Sequence, residues 1–193
     1  MESLILKIPK EDSLTDDELF RICNANKELR IERDESGQLI IMSPAGSFSS
    51  NRNFILNGLF SQWVESHLDL GYAFDSSGGF ILPDNSMRSP DTAWIKKDRW
   101  DSLTVEAREK FAPICPDFIV ELRSKSDSLS QLKKKMEAWI TNGCELAWLI
   151  DPIESKAYIY KPNAPMRELN DFSGKLSGEN LLPGFELDLK RFA

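Results

Sequence analysis

The segment from Pro116 to Asp151 constrains the fold more than any other part of the chain. Phe118-Ile119-Val120-Glu121-Leu122 is a short run of β-branched and apolar residues, which predicts a buried strand. Ser126-Asp127-Ser128 then offers side-chain oxygens for a helix start. The helix is predicted to run to about Asn142, with Gly143 suited to the left-handed residue beyond its end. Residues 145–151, ELAWLID, read as a second buried strand. Strand, helix, strand over 117–122, 128–142 and 145–151 is a crossover unit. Its two strands are expected to be parallel, with the helix on one sheet face.

The flanking segments fill in a layered α/β architecture. Thr15-Asp16-Asp17-Glu18 has the spacing of a capping box and predicts a short helix over 15–25. Alternation at 29–32 and 38–42, broken by Ser36-Gly37, predicts a β-hairpin. Between Ser49 and about Leu68, Ile55, Leu59, Phe60, Trp63 and Val64 recur at three- and four-residue steps, the clearest amphipathic helix in the chain. YAFDSSGGFILP predicts two short strands about a Ser-Gly-Gly turn, and Asp91–Ile95 opens another strand. A short helix is expected over 101–110. Residues 156–160 should form a hairpin with 145–151, and the tail LLPGFELDLKRF should hold one more strand. The expected whole is a single domain over 1–193: a mixed sheet covered by two main helices, with an N-terminal helix and hairpin.

Composition removes several function classes. Of 193 residues, 41% are hydrophobic and 28% charged, as in an ordinary globular chain. No apolar run approaches the roughly 18–20 residues that cross a bilayer. The start, MESLILKIPKED, lacks the features of a signal peptide, so a cytoplasmic location is expected, with no membrane partner. Cys23, Cys115 and Cys144 are odd in number and widely spaced, which favours free thiols over a zinc site or a disulfide set. His67 is the sole histidine, read as a cation at a helix end. The net charge of −7 argues against non-specific nucleic-acid binding driven by phosphate neutralisation, although local basic patches can coexist with it.

Two acids sit where acids are costly. Glu121 lies inside FIVEL, and Asp91 opens a strand directly after Pro90. If both point to one end of the sheet, their oxygens suit Mg²⁺ or Mn²⁺. The alternative is a pair of buried, salt-bridged acids, with Arg88 and Arg123 as candidate partners. Asp117 shares a strand with Glu121 at a distance of roughly 13 Å, too far to join it on one ion, and reads as a turn or cap residue. In the next helix Leu129, Leu132, Met136, Trp139 and Ile140 form one apolar face. Lys134 points away from it, while Lys133 and Lys135 border it from opposite sides. A bordering lysine can lay its stem on the core and aim its ammonium inward.

Several blocks together resemble the Uma2 (DUF820) family, described as restriction-endonuclease-like. They are LTDDELFRICNANKELRIERDESGQLIIMSP, NRNFILNGLFSQW, GYAFDSSGGFILPDNSMRSPDTAWI, ICPDFIVELRSKSDSLSQLKKKMEAWITNGCELAWLIDP and LPGFELDL. The resemblance implies a PD-(D/E)XK nuclease-type core and a site for one or two divalent ions. The family's SPD block falls on Ser89-Pro90-Asp91, its VEL-x-S block on Val120–Ser124, and its lysine-methionine pair on Lys135-Met136. Asp91 and Glu121 are thereby implied as metal ligands, with the backbone carbonyl of Leu122 as a third and Lys135 as a relocated catalytic lysine. The broader superfamily places a lysine two residues after the glutamate, where this chain has Arg123. A first-helix glutamate has no equivalent over 49–60. The implied activity is Mg²⁺- or Mn²⁺-dependent hydrolysis of DNA phosphodiester bonds. The alternative is a non-catalytic binding or assembly module on the same fold, which the acidic charge and Arg123 favour. A homodimer is expected, since duplex cleavage needs two sites and five tryptophans are many for one small core.

Overall fold

The computed structural model describes residues 4–193. In chain order its elements are β1 (Leu4–Leu6), α1 (Asp16–Ala25), β2 (Arg30–Arg33), β3 (Leu39–Met42), α2 (Ser47–Glu65), β4 (Gly71–Asp75), β5 (Phe80–Ile81), β6 (Met87–Arg88), β7 (Thr92–Lys96), α3 (Lys97–Asp101) and α4 (Val105–Arg108). Then follow β8 (Phe118–Leu122), α5 (Leu129–Thr141), β9 (Leu146–Asp151), β10 (Lys156–Tyr160), β11 (Arg167–Leu169), β12 (Lys175–Ser177) and β13 (Glu186–Asp188).

The larger sheet has six strands in the order β11-β10-β9-β8-β7-β4. Only β8 and β9 in it are parallel, and α5 connects them, so the crossover unit forms as its sequence predicts. Alternation along β8 sorts the core into two layers. Phe118 and Val120 pack with Leu56, Phe60 and Trp63 of α2, while Ile119 packs with Met136 and Trp139 of α5. A second sheet, β1-β3-β2-β6-β5, carries the predicted hairpin and packs on α1 through Leu19, Ile31, Leu39 and Met87. The capping box at the start of α1 is formed, Thr15 Oγ1 accepting from Glu18 N and Glu18 Oε2 from Thr15 N. Gly143 follows α5 with φ of 111°.

Three expectations change. The strands of YAFDSSGGFILP do not pair with each other: β4 joins the larger sheet beside β7, whereas β5 joins the smaller one beside β6. The turn between them is therefore the link that carries the chain from one sheet to the other. The helix expected over 101–110 is two short pieces, α3 and α4, on either side of Ser102-Leu103. Four of the five tryptophans, finally, lie in the core and are not available at a surface. Trp63, Trp94, Trp139 and Trp148 are buried within the chain, and Trp100 packs its ring against Phe74 at 4.7 Å. Trp63 and Trp148 make stacked and edge-on contacts with Phe60, Phe118 and Phe185 within the core layer that packs on α2.

Cys115 and Cys144 are buried free thiols, and Cys23 is a half-buried one. His67 caps the end of α2: its ring stacks on Trp63 at 4.5 Å and its Nδ1 lies 2.8 Å from the Trp63 carbonyl. Among the described residues, no helix is long and apolar enough to cross a membrane.

Candidate functional site

Strand register delivers the two acids to one place. In the antiparallel pair β7–β8, Thr92 faces Val120 and Ala93 faces Ile119. Asp91 comes one residue before β7, and its Oδ2 accepts from the N–H of Leu122, the residue after Glu121, so the register brings the two acids side by side. Both are at the strand ends, where the sheet opens into a cleft of about 740 Å³. The cleft lies between the smaller sheet, the N-terminal half of α2, and α5.

Each carboxylate is held by named donors. Asp91 Oδ2 accepts from the Leu122 N–H at 2.8 Å, and Oδ1 accepts from Asn53 Nδ2 on α2 at 2.8 Å. Asn57, one turn later, donates to the Asp91 carbonyl at 3.2 Å. Glu121 is 5% exposed, and its Oε1 accepts from Trp139 Nε1 at 3.3 Å and lies 2.8 Å from Lys135 Nζ. Lys135 is the lysine that turns inward, as its place on the flank of the helix allows. Lys134 is exposed at the rim of the cleft, and Lys133 sits 4.1 Å over the Tyr158 ring, away from the acids.

Arg123, in the superfamily's lysine position, does not serve the site. Its Nη1 pairs with the fully buried Asp151 at 2.6 Å, which ties the end of β8 to β9. Arg88 also fails to pair with either acid, meeting Glu32 at 3.4 Å and Glu35 at 3.3 Å instead. Asp117 stays apart from Glu121 and anchors a distant segment instead, accepting from Lys96 N at 2.8 Å and pairing with Arg99 at 2.7 Å.

Glu32 is the residue that sequence reasoning missed. It is 4% exposed on β2, and its Oε1 lies 2.8 Å from Lys135 Nζ and accepts from Ser89 N at 3.1 Å. Lys135 therefore bridges a carboxylate from each sheet. Strand alternation predicts Glu32 opposite Ile31, on the hairpin's polar face, but carries no sign that this face covers the cleft. Asn53 lies on α2, where the resemblance points to a glutamate and an amide carries no comparable signal.

The charges explain one another. Burial raises the Glu121 carboxyl to about 7; Lys135 opposes this, and the neighbouring Asp91 and Glu32 reinforce it. Burial likewise raises Asp91, against the Leu122 N–H. Burial also acts to raise Glu32, but Lys135, Arg88 and the Ser89 N–H outweigh it and hold that carboxyl below the usual carboxylate range. Lys135, despite burial, is kept firmly protonated by Glu121 and Glu32.

These residues fit a divalent cation. Two adjacent carboxylates raise each other's cost of ionisation, and seven acidic side chains line the cleft against four basic ones, Arg30, Arg88, Lys134 and Lys135. Among the described residues no three His, Cys, Asp or Glu side chains form a ready cage. Two carboxylates with remaining positions left to carbonyl oxygen and water is the habit of Mg²⁺.

A pH dependence follows. Between the ordinary carboxyl value of 4.5 and about 7, folded Glu121 keeps a proton that the unfolded chain has lost. Metal-free stability should therefore fall as pH rises through this range. Glu32 acts oppositely, its contribution present above 4.5 and lost as pH drops below it. Added Mg²⁺ should flatten the decline from pH 5 to 8, because a cation favours ionised Glu121. Thermal melts in EDTA and in Mg²⁺ check this, and identical pH slopes would contradict it.

Comparison with known proteins identifies the family and the fold. Residues 16–190 match the profile of Uma2, described as "Putative restriction endonuclease". The chain belongs to the Uma2 family. A solved structure described as "a putative nuclease belonging to DUF820", from Anabaena variabilis, superposes on this Uma2 protein with a TM-score of 0.76. That likeness has 19% sequence identity and covers 93% of this chain and 97% of the other, so the restriction-endonuclease-like fold is shared along nearly its whole length. No curated protein matches the sequence.

Proposed function

We propose that this Uma2 protein is a Mg²⁺- or Mn²⁺-dependent DNA endonuclease that hydrolyses phosphodiester bonds. The observation that carries the reading is the convergence of Asp91, which accepts from the Leu122 N–H at 2.8 Å, and Glu121, 2.8 Å from Lys135 Nζ, in a cleft that opens to solvent. Asp91 and Glu121 would hold the cation, with the Leu122 carbonyl beside them. A bound cation would supply Lewis acidity toward a phosphoryl oxygen and a more acidic water. Asn53 and the Leu122 N–H fix the Asp91 carboxylate, and Trp139 fixes that of Glu121. Lys135, charged and aimed into the cleft, is placed to stabilise negative charge on the phosphoryl group.

The test is nicking of supercoiled plasmid with Mg²⁺ or Mn²⁺. Wild type should produce open circles, and EDTA or Glu121→Ala should stop it. One observation favours a second reading, an inactive module. The Lys135 ammonium already lies 2.8 Å from both Glu121 and Glu32, so each acid has a charged partner without a metal. Absence of nicking with any divalent ion would give that reading the lead.

Duplex cleavage by this protein would need two copies. Edge strand β1 exposes Leu4, Ile5 and Leu6 by 63, 52 and 47%, and Phe48 of α2 is 80% exposed. An apolar edge strand with unpaired backbone groups is a template for association. Light scattering at micromolar concentration should report a dimer, and a monomer would restrict the proposal to single-strand nicking.

A further inference from the structure

We propose that Glu32 is a positioning residue that keeps the Lys135 ammonium in the site when a divalent cation engages Glu121, so that lysine and cation coexist there. This rests on the nuclease reading above and deepens it.

The need for such a residue arises from one shared atom. Lys135 Nζ approaches Glu121 Oε1 at 2.8 Å. A cation on the Glu121 carboxylate would face that ammonium across very few ångströms, and like charges in a buried site repel strongly. If Glu121 were the lysine's only anion, the ammonium would have to leave or the cation would be kept out. Either outcome removes the pairing of metal and lysine on which the chemistry depends.

Glu32 supplies the missing anion from a different element. It lies on β2 of the smaller sheet, whereas Glu121 lies on β8 of the larger one, so a rotation of Glu121 toward a cation does not displace it. Its Oε1 is 2.8 Å from the same Nζ. It is anchored independently of the lysine by the Ser89 N–H at 3.1 Å and by Arg88 at 3.4 Å. Ser89 stands two residues before Asp91, so the backbone segment that delivers one metal carboxylate also fixes the counter-ion of the lysine. The ammonium can lean on Glu32 while Glu121 turns to the cation.

The test is calorimetric titration of Mn²⁺ into wild type, Glu32→Asp and Glu32→Gln, repeated in a Lys135→Met background, with circular dichroism to confirm folding. Glu32→Asp keeps the charge but withdraws its oxygens by one methylene. It should weaken Mn²⁺ binding on the order of tenfold, as loss of a supporting partner does at other metal sites, and Glu32→Gln should weaken it at least as much. In the Lys135→Met background Glu32→Asp should leave Mn²⁺ affinity unchanged, because no ammonium remains to be held. Mn²⁺ binding by Glu32→Asp as tight as wild type overturns the proposal. An equal loss in both backgrounds also overturns it, since the effect would not pass through Lys135. If Lys135→Met does not fold, Lys135→Gln, uncharged but able to donate to both glutamates, replaces it as the background. Wild type that binds no Mn²⁺ overturns the nuclease reading as well, whereas normal wild-type binding with no effect at Glu32 overturns this inference alone.

Discussion

Lys135→Ala is expected to abolish divalent-dependent nicking and also to destabilise the protein, by about 3–5 kcal/mol. The sequence alone suggests a lysine bordering a helix face, whose loss would leave folding intact. The structure places its side chain at 10% exposure between Glu32 and Glu121, each 2.8 Å from Nζ. Removing it leaves two buried carboxylates without their shared cation, which costs far more than a surface pair. Part of the loss is limited because Glu121, already raised to about 7, can take up a proton. Mg²⁺ should restore part of the stability, since a cation on Glu121 replaces the missing charge. Lys134→Ala, on the exposed rim of the same helix, should change stability by less than about 0.5 kcal/mol. Urea denaturation of both variants checks the contrast. Equal stability for Lys135→Ala and wild type would mean that the bridged carboxylates are not an energetic unit.

Asp91→Asn should lower nicking on the order of a thousandfold or more, because several kcal/mol of transition-state stabilisation disappear with the cation. Its effect on folding should be small by comparison. Both Asp91 oxygens are acceptors, from Leu122 N and from Asn53 Nδ2, and an amide can satisfy only one of these donors. That mismatch costs about 1–3 kcal/mol. Against it, the substitution removes a negative charge beside Glu121, which relieves the repulsion that raises Glu121. The two changes partly offset, so the melting temperature should move little while activity is lost. A variant that still nicks at wild-type rate with Mg²⁺ would place the reacting centre elsewhere in the cleft.

The difference between these two outcomes reflects what kind of neighbour each side chain has. Asp91 is held by neutral donors, a peptide N–H and an amide, whereas Lys135 is held by charges. Arg123 belongs with Lys135 in this respect. Its pairing with buried Asp151 makes it a structural cation, although its position in the chain invites a catalytic reading. Spacing along a strand says which face a side chain occupies only while the strand continues. Arg123 lies just past the end of β8, where that alternation no longer governs direction.

The crossover unit, the capped helix α1, the hairpin and the costly placement of Asp91 and Glu121 are all legible in the amino-acid order. Each of these follows from local physics: backbone hydrogen bonding with periods of 3.6 and 2, cap chemistry within one turn, and the cost of a carboxylate in an apolar strand. Lys135 was legible to the same degree, as one of two flanking lysines singled out further by the resemblance to Uma2. Packing between distant segments is what brings Glu32 to Lys135, sets Asn53 of α2 against Asp91, and buries four of the five tryptophans in the core. It also decided that the two strands around Ser76-Ser77-Gly78-Gly79 part into different sheets. One cause underlies all four. A residue's face is set by its own segment, but what covers that face is set by register and packing between segments far apart in the chain, as with Glu32 and Lys135, which are 103 residues apart.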